Sequence, residues 1–154
     1  MERIDEAFER YLEHVSAELG RSERKRGLRN YCHGLMLPLQ RKSLEPLAAA
    51  IDPYHVCASH QSLQNFVADS PWSDAGVLGR VQSWVLPKMG IEGDKPVFMI
   101  ADDSGIPKAG RHSVGVARQY CGQLGKTASC QIAVSLSIAT ESASLPVKYR
   151  LYLP

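Results

Sequence analysis

Apolar positions in the first part of the chain recur at helical spacing. Ile4, Phe8, Tyr11, Leu12, Val15 and Leu19 follow a 3.6-residue period, which predicts an amphipathic helix that stops at Gly20. Ser22 stands where a second helix would be capped. Its apolar side is Leu28, Tyr31, Cys32 and Leu35, and Pro38 limits it. Ser43 followed by Pro46 predicts a short helix over Leu44 to Ile51, broken at Asp52-Pro53. A further helix opens at Ser59 or His60, with Leu63, Phe66 and Val67 turned inward. After the turn Ser70-Pro71-Trp72-Ser73, Ser73 caps a helix carrying Val77, Leu78, Val81, Trp84 and Val85, which Pro87 and Gly90 end. Trp72 and Trp84 are expected to anchor the core between these helices.

The period changes at Gly93. Val97 to Ala101 is too short for a helix and suits a buried strand. Gly105, Gly110, Gly115, Gly122 and Gly125 mark the next segment as a loop. Ser129 to Thr140 alternates, with Cys130, Ile132, Val134, Leu136 and Ile138 apolar, and reads as a strand. Glu141-Ser142-Ala143-Ser144 is a turn, and Leu145 to Leu153 is its hairpin partner. Val147, Tyr149, Leu151 and Leu153 share one face of that partner; Lys148, Arg150 and Tyr152 share the other. The expected class is α+β, with a helical region over residues 1–90 and a strand, loop and hairpin over 91–154. No internal repeat is present.

The chain has 154 residues, 44% hydrophobic and 22% charged, which suits a soluble chain of one domain or two small ones. No apolar run approaches a membrane span, and Met1-Glu2-Arg3-Ile4-Asp5-Glu6 does not resemble a signal peptide. The expected location is the cytoplasm, where Cys32, Cys57, Cys121 and Cys130 would stay reduced. The net charge is only +2, but it is unevenly spread. Arg21, Arg24, Lys25, Arg26, Arg29, Arg41 and Lys42 are opposed only by Glu23. Lys108, Arg111, His112, Arg118 and Lys126 form a second basic stretch without an acid. One such cluster is as readily a solvated helix face. Two of them flanking an acidic pair point to nucleic acid, because phosphate contacts draw on Lys and Arg.

The acidic pair is Asp102-Asp103, at the end of the apolar run. A carboxylate delivered at a strand tip suits a metal-ion nuclease, although Asp-Asp-Ser-Gly is also good turn sequence. From Ser104 to Pro154 the one further acid is Glu141, whereas two-metal phosphoryl chemistry needs several carboxylates. Other chemistries fit less well. Cys32, His33, Cys57 and His60 include a Cys-x-x-His spacing, but the first pair is adjacent and both cysteines lie in apolar helical patterns. Ser104 or Cys121 with His112 is a weak nucleophile–base signal. The glycine-rich stretch lacks the Gly-Lys-Ser/Thr ending of a phosphate-binding loop.

From Asp102 to Gly110 the chain reads Asp-Asp-Ser-Gly-x-Pro-Lys-x-Gly, and a basic, glycine-rich segment continues from there to Lys126. The whole stretch resembles the signature of bacterial insertion-sequence transposases of the DDE, ribonuclease-H-like superfamily. His60-Gln61-Ser62-Leu63-Gln64-Asn65-Phe66, Ser70-Pro71-Trp72 and Tyr149-Arg150-Leu151-Tyr152-Leu153-Pro154 resemble the same branch. The resemblance implies a ribonuclease-H-like mixed sheet, of which residues 97–153 would form the first three strands, a strand plus a β-hairpin. It implies Asp102 as the first catalytic carboxylate, favoured over Asp103 because a hydroxyl, Ser104, stands two positions on.

It also implies Mg²⁺ or Mn²⁺ in the complete enzyme, with Asp102 and Asp103 as the metal ligands here and no tight binding by this chain alone. The expected partner is DNA at the element's terminal repeats, contacted by Arg21, Arg24, Lys25, Arg26, Arg29, Lys108, Arg111, Arg118 and Lys126. A full-length or C-terminal-half transposase is a second expected partner, the location is nucleoid-associated, and no membrane is involved. The family continues beyond the point matching Pro154 with a second Asp and a Glu, so the expectation is a truncated, catalytically incomplete N-terminal part. Two alternatives stand beside it: a DNA-binding module that occupies element ends and damps transposition, and a remnant without function.

Overall fold

The first helix, α1 (Ile4–Ser16), buries Leu12 and Val15, runs into a 3₁₀ turn at Ala17–Leu19 and stops at Gly20. The computed structural model describes residues 3–91, 95–110 and 112–154. Among them are five α-helices and four β-strands. The chain divides into two units, Met1–Val81 and Gln82–Pro154, with the boundary inside the fifth helix.

In the first unit, α2 (Ser22–Met36) follows Arg21, which holds the N-cap position in extended conformation. Ser22 is thus the first helical residue and not the cap. The next helix, α3 (Leu44–Ile51), has the bounds that the sequence predicts. The fourth, α4 (Val56–Gln64), begins earlier than Ser59 and continues into a π-helical turn, Asn65–Asp69. Ser73 does cap α5 (Asp74–Val85), its Oγ accepting from the amide of Gly76 at 3.2 Å.

Two apolar clusters hold these helices. Val15, Leu19, Leu28 and Phe66 form one, with Tyr31, Trp72 and Val77 packed against it; Leu47, Ala48 and Leu63 form the other. Trp72 is the core anchor expected of it. Its ring stacks on Phe66 at 5.5 Å between centroids, and its Nε1 donates to the Phe66 carbonyl at 2.7 Å. Two glycines of α2 make the packing possible. A Cβ on Gly27 would meet the Phe66 ring at 2.6 Å, and one on Gly34 would meet Leu47 Cδ2 at 2.9 Å.

The second unit is built on one long strand. The strands are β1 (Phe98–Pro107), β2 (Ala117–Cys121), β3 (Lys126–Ala139) and β4 (Ser144–Leu151). The strand β3 pairs antiparallel with each of the others. Lys108 N donates to Ser129 O beside β1, and Tyr152 N donates to Ile132 O beside β4. Ser129 and Ile132 are an odd number of residues apart, so their carbonyls point to opposite edges of β3. The strands β1 and β4 therefore flank it.

The turn between β3 and β4 is closed by Thr140, whose N donates to Ala143 O at 2.8 Å and whose Oγ1 accepts from Ala143 N at 3.2 Å. Pro146 is tolerated in β4 beside a bulge, which leaves Val147 without a cross-strand partner. Val147 O accepts instead from Gln82 Nε2 at 2.7 Å.

Three expectations are corrected by this sheet. It has four strands and not three, because Ala117–Cys121 forms a ladder with Lys126–Cys130. Glycines at Gly115, Gly122 and Gly125 bracket this segment and break only its ends. The first strand extends to Pro107, so the acidic pair lies in mid-strand and is neither a tip nor a turn. It is also not buried. Phe98, Met99 and Ile100 are 54%, 64% and 47% exposed, because β1 is paired along β3 but no described element covers its apolar side chains.

Candidate functional site

Successive residues of a strand project to opposite faces, and this separates the two aspartates. Asp102 lies opposite Ser135, which lies opposite Tyr149 on the far strand. Ser104, two residues on, shares the Asp102 face. Asp103 belongs to the other face, in a row with Val134 and Arg150. Both aspartates are exposed, and the amide of Asp103 donates to Asp102 Oδ1 at 2.9 Å. A recess of about 360 Å³ is lined by Asp103, Ser104, Gly105, Ile106, Gly122 and Gln123. Glu141, in the β3–β4 turn, does not join either row.

This geometry limits the ligand chemistry. One ion cannot draw on both aspartates of β1 while they project from opposite faces of one strand. Among the described residues, no three His, Cys, Asp or Glu side chains converge as a metal-binding group. The residues described therefore do not by themselves make the donor set that two-ion chemistry requires. The zinc alternative fares no better. His33 Nε2 sits 2.9 Å from Glu9 Oε1, Cys32 packs against the first apolar cluster, and Cys57 is exposed. Cys121 is buried, its thiol directed at the Gly105 carbonyl 3.6 Å away, which removes it from service as an open nucleophile.

The loop after β1 is seated against the end of β4. Gly115 has φ +73°, and a Cβ there would meet the Tyr152 carbonyl at 2.9 Å. Along this part of the chain Lys108 is half-buried after β1, Arg118 is exposed on β2, and Lys126 is exposed at the start of β3. Arg118 also lines a recess of about 260 Å³ with Val116, Ala117 and Ser129. Arg111 lies outside the described residues.

The basic cluster of α2 divides by partner. Arg29 Nη2 is 2.8 Å from Glu9 Oε2, and Arg24 Nη1 donates to the Leu19 carbonyl at 3.3 Å. Those two cations serve the fold. Arg21, Lys25 and Arg26 are exposed and form no ion pair among the described residues. Arg26 and Lys25 line one recess with Leu12, Glu13, Ser16 and Arg29. Arg26 also lines a second, of about 450 Å³, between α2 and α4. The α4 wall of that second groove is Ala58, Gln61, Ser62 and Asn65; the last three fall in the stretch that carries the family resemblance, but the sequence reading gives none of the four a role in binding. Their i, i+3, i+4, i+7 spacing was the available signal, but it marks a polar, uncharged face, which hydrophobic periodicity and charge both pass over. No helix among the described residues is long and apolar enough to cross a membrane.

Comparison with known proteins identifies the family. The model of the DDE superfamily endonuclease family matches residues 14–154. A probable transposase for insertion sequence element IS701, from Microchaete diplosiphon, is 30% identical over 125 residues. That alignment covers 80% of this chain and 31% of the relative, so the chain spans about a third of the curated protein it matches. No solved structure matches significantly.

Proposed function

Because this chain belongs to the DDE superfamily endonucleases, among the insertion-sequence transposases, we propose that it supplies a transposase with a DNA-binding helical region and with the strand that carries the first catalytic carboxylate. The observation behind this reading is the position of Asp102. It stands exposed in mid-β1, with the Ser104 hydroxyl on the same face and Ser135 across the ladder. Asp103 is the alternative carboxylate and serves the opposite face. Family membership implies divalent-metal chemistry on phosphodiester bonds, with Mg²⁺ or Mn²⁺ as the ion. The remaining carboxylates come from polypeptide corresponding to the part of the relative that this chain does not span.

Residues 91–154 are then the opening strands of a ribonuclease-H-like sheet. An antiparallel β1–β3–β4 order, with no described strand on the other edge of β1, supports that reading. Residues 1–90 bind DNA at the element's terminal repeats through Arg21, Lys25 and Arg26, and the protein acts in the cytoplasm at the nucleoid. A second reading is favoured by the separate apolar clusters within Met1–Val81. On that reading the helical unit occupies element ends and damps transposition by a longer relative.

One excision assay separates the two. A reporter element with terminal repeats is placed in cells that express this chain with the C-terminal part of a related transposase, or with a full-length one. Excision in the first arm that Asp102→Asn abolishes supports the catalytic reading. Reduced excision in the second arm supports the damping one. No binding to repeat DNA in a gel shift, with no effect in either arm, defeats both.

A further inference from the structure

We infer that the exposed face of α4, formed by Ala58, Gln61, Ser62 and Asn65, reads base edges in the major groove of double-stranded DNA, and that the Gln61–Asn65 amide pair addresses an adenine. The inference rests on the DNA-binding reading above and deepens it. Basic residues in that reading supply affinity; α4 supplies discrimination.

The first argument is chemical. From Val56 to Gln64 the helix contains no Asp, Glu, Lys or Arg. Its exposed positions Ala58, Gln61 and Ser62, with Asn65 at the first residue of the π-helical turn, form one polar, uncharged stripe. The opposite side of the helix buries Leu63 against Leu47 and Ala48. A neutral stripe of amides, a hydroxyl and a methyl is poorly suited to phosphates. It is well suited to base edges, where Asn and Gln pair with adenine and Ala contacts the thymine methyl.

The second argument is the surroundings. The groove beside this stripe has Arg24 and Arg26 on its α2 wall, with Phe66 and Ser70 toward its end. Arg21 lines an adjoining recess with Asn65 and Ser70. Neutral readers in the middle and cations at the side match a duplex, in which phosphates flank the base edges. Two acids, Glu23 and Asp69, also line these recesses, and they limit how closely a phosphate approaches at those points.

The third argument is orientation. The helices α3 and α4 are joined by residues 52–55 and packed through Leu47, Ala48 and Leu63, a helix-turn-helix arrangement in which the second helix enters the groove. The amides on that helix are already ordered. Gln61 Nε2 donates to Asn65 Oδ1 at 2.9 Å. This leaves Gln61 Oε1 as an acceptor and Asn65 Nδ2 as a donor, the complement of adenine N6–H and N7.

The test uses the full chain and a pool of randomised duplexes, sequenced after repeated binding. The parent chain should enrich an adenine-containing motif. Gln61→Ala and Asn65→Ala should each lower the ratio of motif to scrambled-duplex affinity by roughly ten-fold. Replacing the motif adenine by 7-deaza-adenine, which deletes N7 alone, should weaken the parent chain but not Asn65→Ala. Thermal melts of the variants should match the parent, since both residues are exposed and neither belongs to an apolar cluster. A motif that both variants retain, or no enriched motif for the parent chain while duplex binding persists, overturns this inference alone. Failure of the parent chain to bind any duplex overturns it together with the DNA-binding reading.

Discussion

Gly27 lies directly beneath the ring of Phe66, so close that a Cβ on the glycine would stand 2.6 Å from Phe66 Cγ. That ring also stacks on the Trp72 indole, at 11° between planes. The contact joins α2 to the π-helical turn that ends α4, and so sets the wall spacing of the groove between those helices.

Gly27→Ala should therefore destabilise the first unit. The substitution gains up to about 1 kcal/mol of helix propensity, but the clash with Phe66, itself stacked on Trp72, costs about 1–3 kcal/mol or more. A lower midpoint in urea, with an unchanged slope, is the expected result. A midpoint at or above the parent's would mean that Phe66 can move aside.

Lys25→Glu with Arg26→Glu should weaken DNA binding and reduce the slope of log affinity against log salt by about 2, since two phosphate contacts are lost. Arg24→Glu should act differently, because Arg24 holds the Leu19 carbonyl. Its expected cost is to stability as well as to binding. Fluorescence anisotropy across a salt series, with melts alongside, distinguishes them. An unchanged slope in the double variant would show that the α2 face is only solvated.

Asp102→Asn and Asp103→Asn should not be equivalent in a protein that carries the complete site. Loss of the ligating carboxylate removes several kcal/mol of transition-state stabilisation, about a thousand-fold or more in rate. Asp103 projects from the opposite face, so its amide variant should keep most strand cleavage. Nicking of repeat DNA with Mg²⁺ or Mn²⁺ reads this out. The reverse ranking would reassign the first carboxylate to Asp103.

Stability should fall in alkaline solution. Burial raises the Cys130 thiol above its ordinary 9.0, and the neighbouring Cys121 adds to the rise. Burial likewise raises Cys32, and it raises Tyr11 from 10.0. Each group holds its proton more tightly folded than unfolded. Its contribution is full below the unfolded value and is lost as pH rises through the folded one. Melting temperature should thus decline above pH 9.0, and less steeply in Cys32→Ala with Cys130→Ala. Equal steepness in parent and variant would place the alkaline transition elsewhere.

Self-association through β1 is the last expectation. One edge of this strand pairs with β3, and no described strand takes the other. Val97, Phe98, Met99 and Ile100 are all exposed beside that edge. An open apolar edge templates pairing with another chain, and a lysine opposes it. Sedimentation should show concentration-dependent growth that Met99→Lys suppresses. A monomer at all concentrations would mean that the edge is closed in solution.

The amino-acid sequence by itself determined the features that depend on near neighbours. Periodicity placed α1 and the residues 44–51 helix, Ser73 marked the cap of α5, and alternation after Ser129 placed β3 and its hairpin partner. Those signals lie within a few residues of one another. The aspartate pair and the motif it opens were legible for the same reason.

Tertiary structure decided what depends on partners distant in the chain. Ala117–Cys121 became a strand only because β3 runs on past its last partner in β4 and offers it an edge to pair with. Ladder register, and no local rule, set Asp102 across from Ser135 and Asp103 across from Val134. The exposure of β1 depends on what covers it, which an apolar run cannot announce. The roles of Arg24 and Arg29 depended on a carbonyl and a carboxylate supplied by α1 and the turn after it. The uncharged stripe of α4 acquired meaning only when packing put arginines of α2 beside it, because burial and pairing, unlike helix propensity, are properties of the assembled chain.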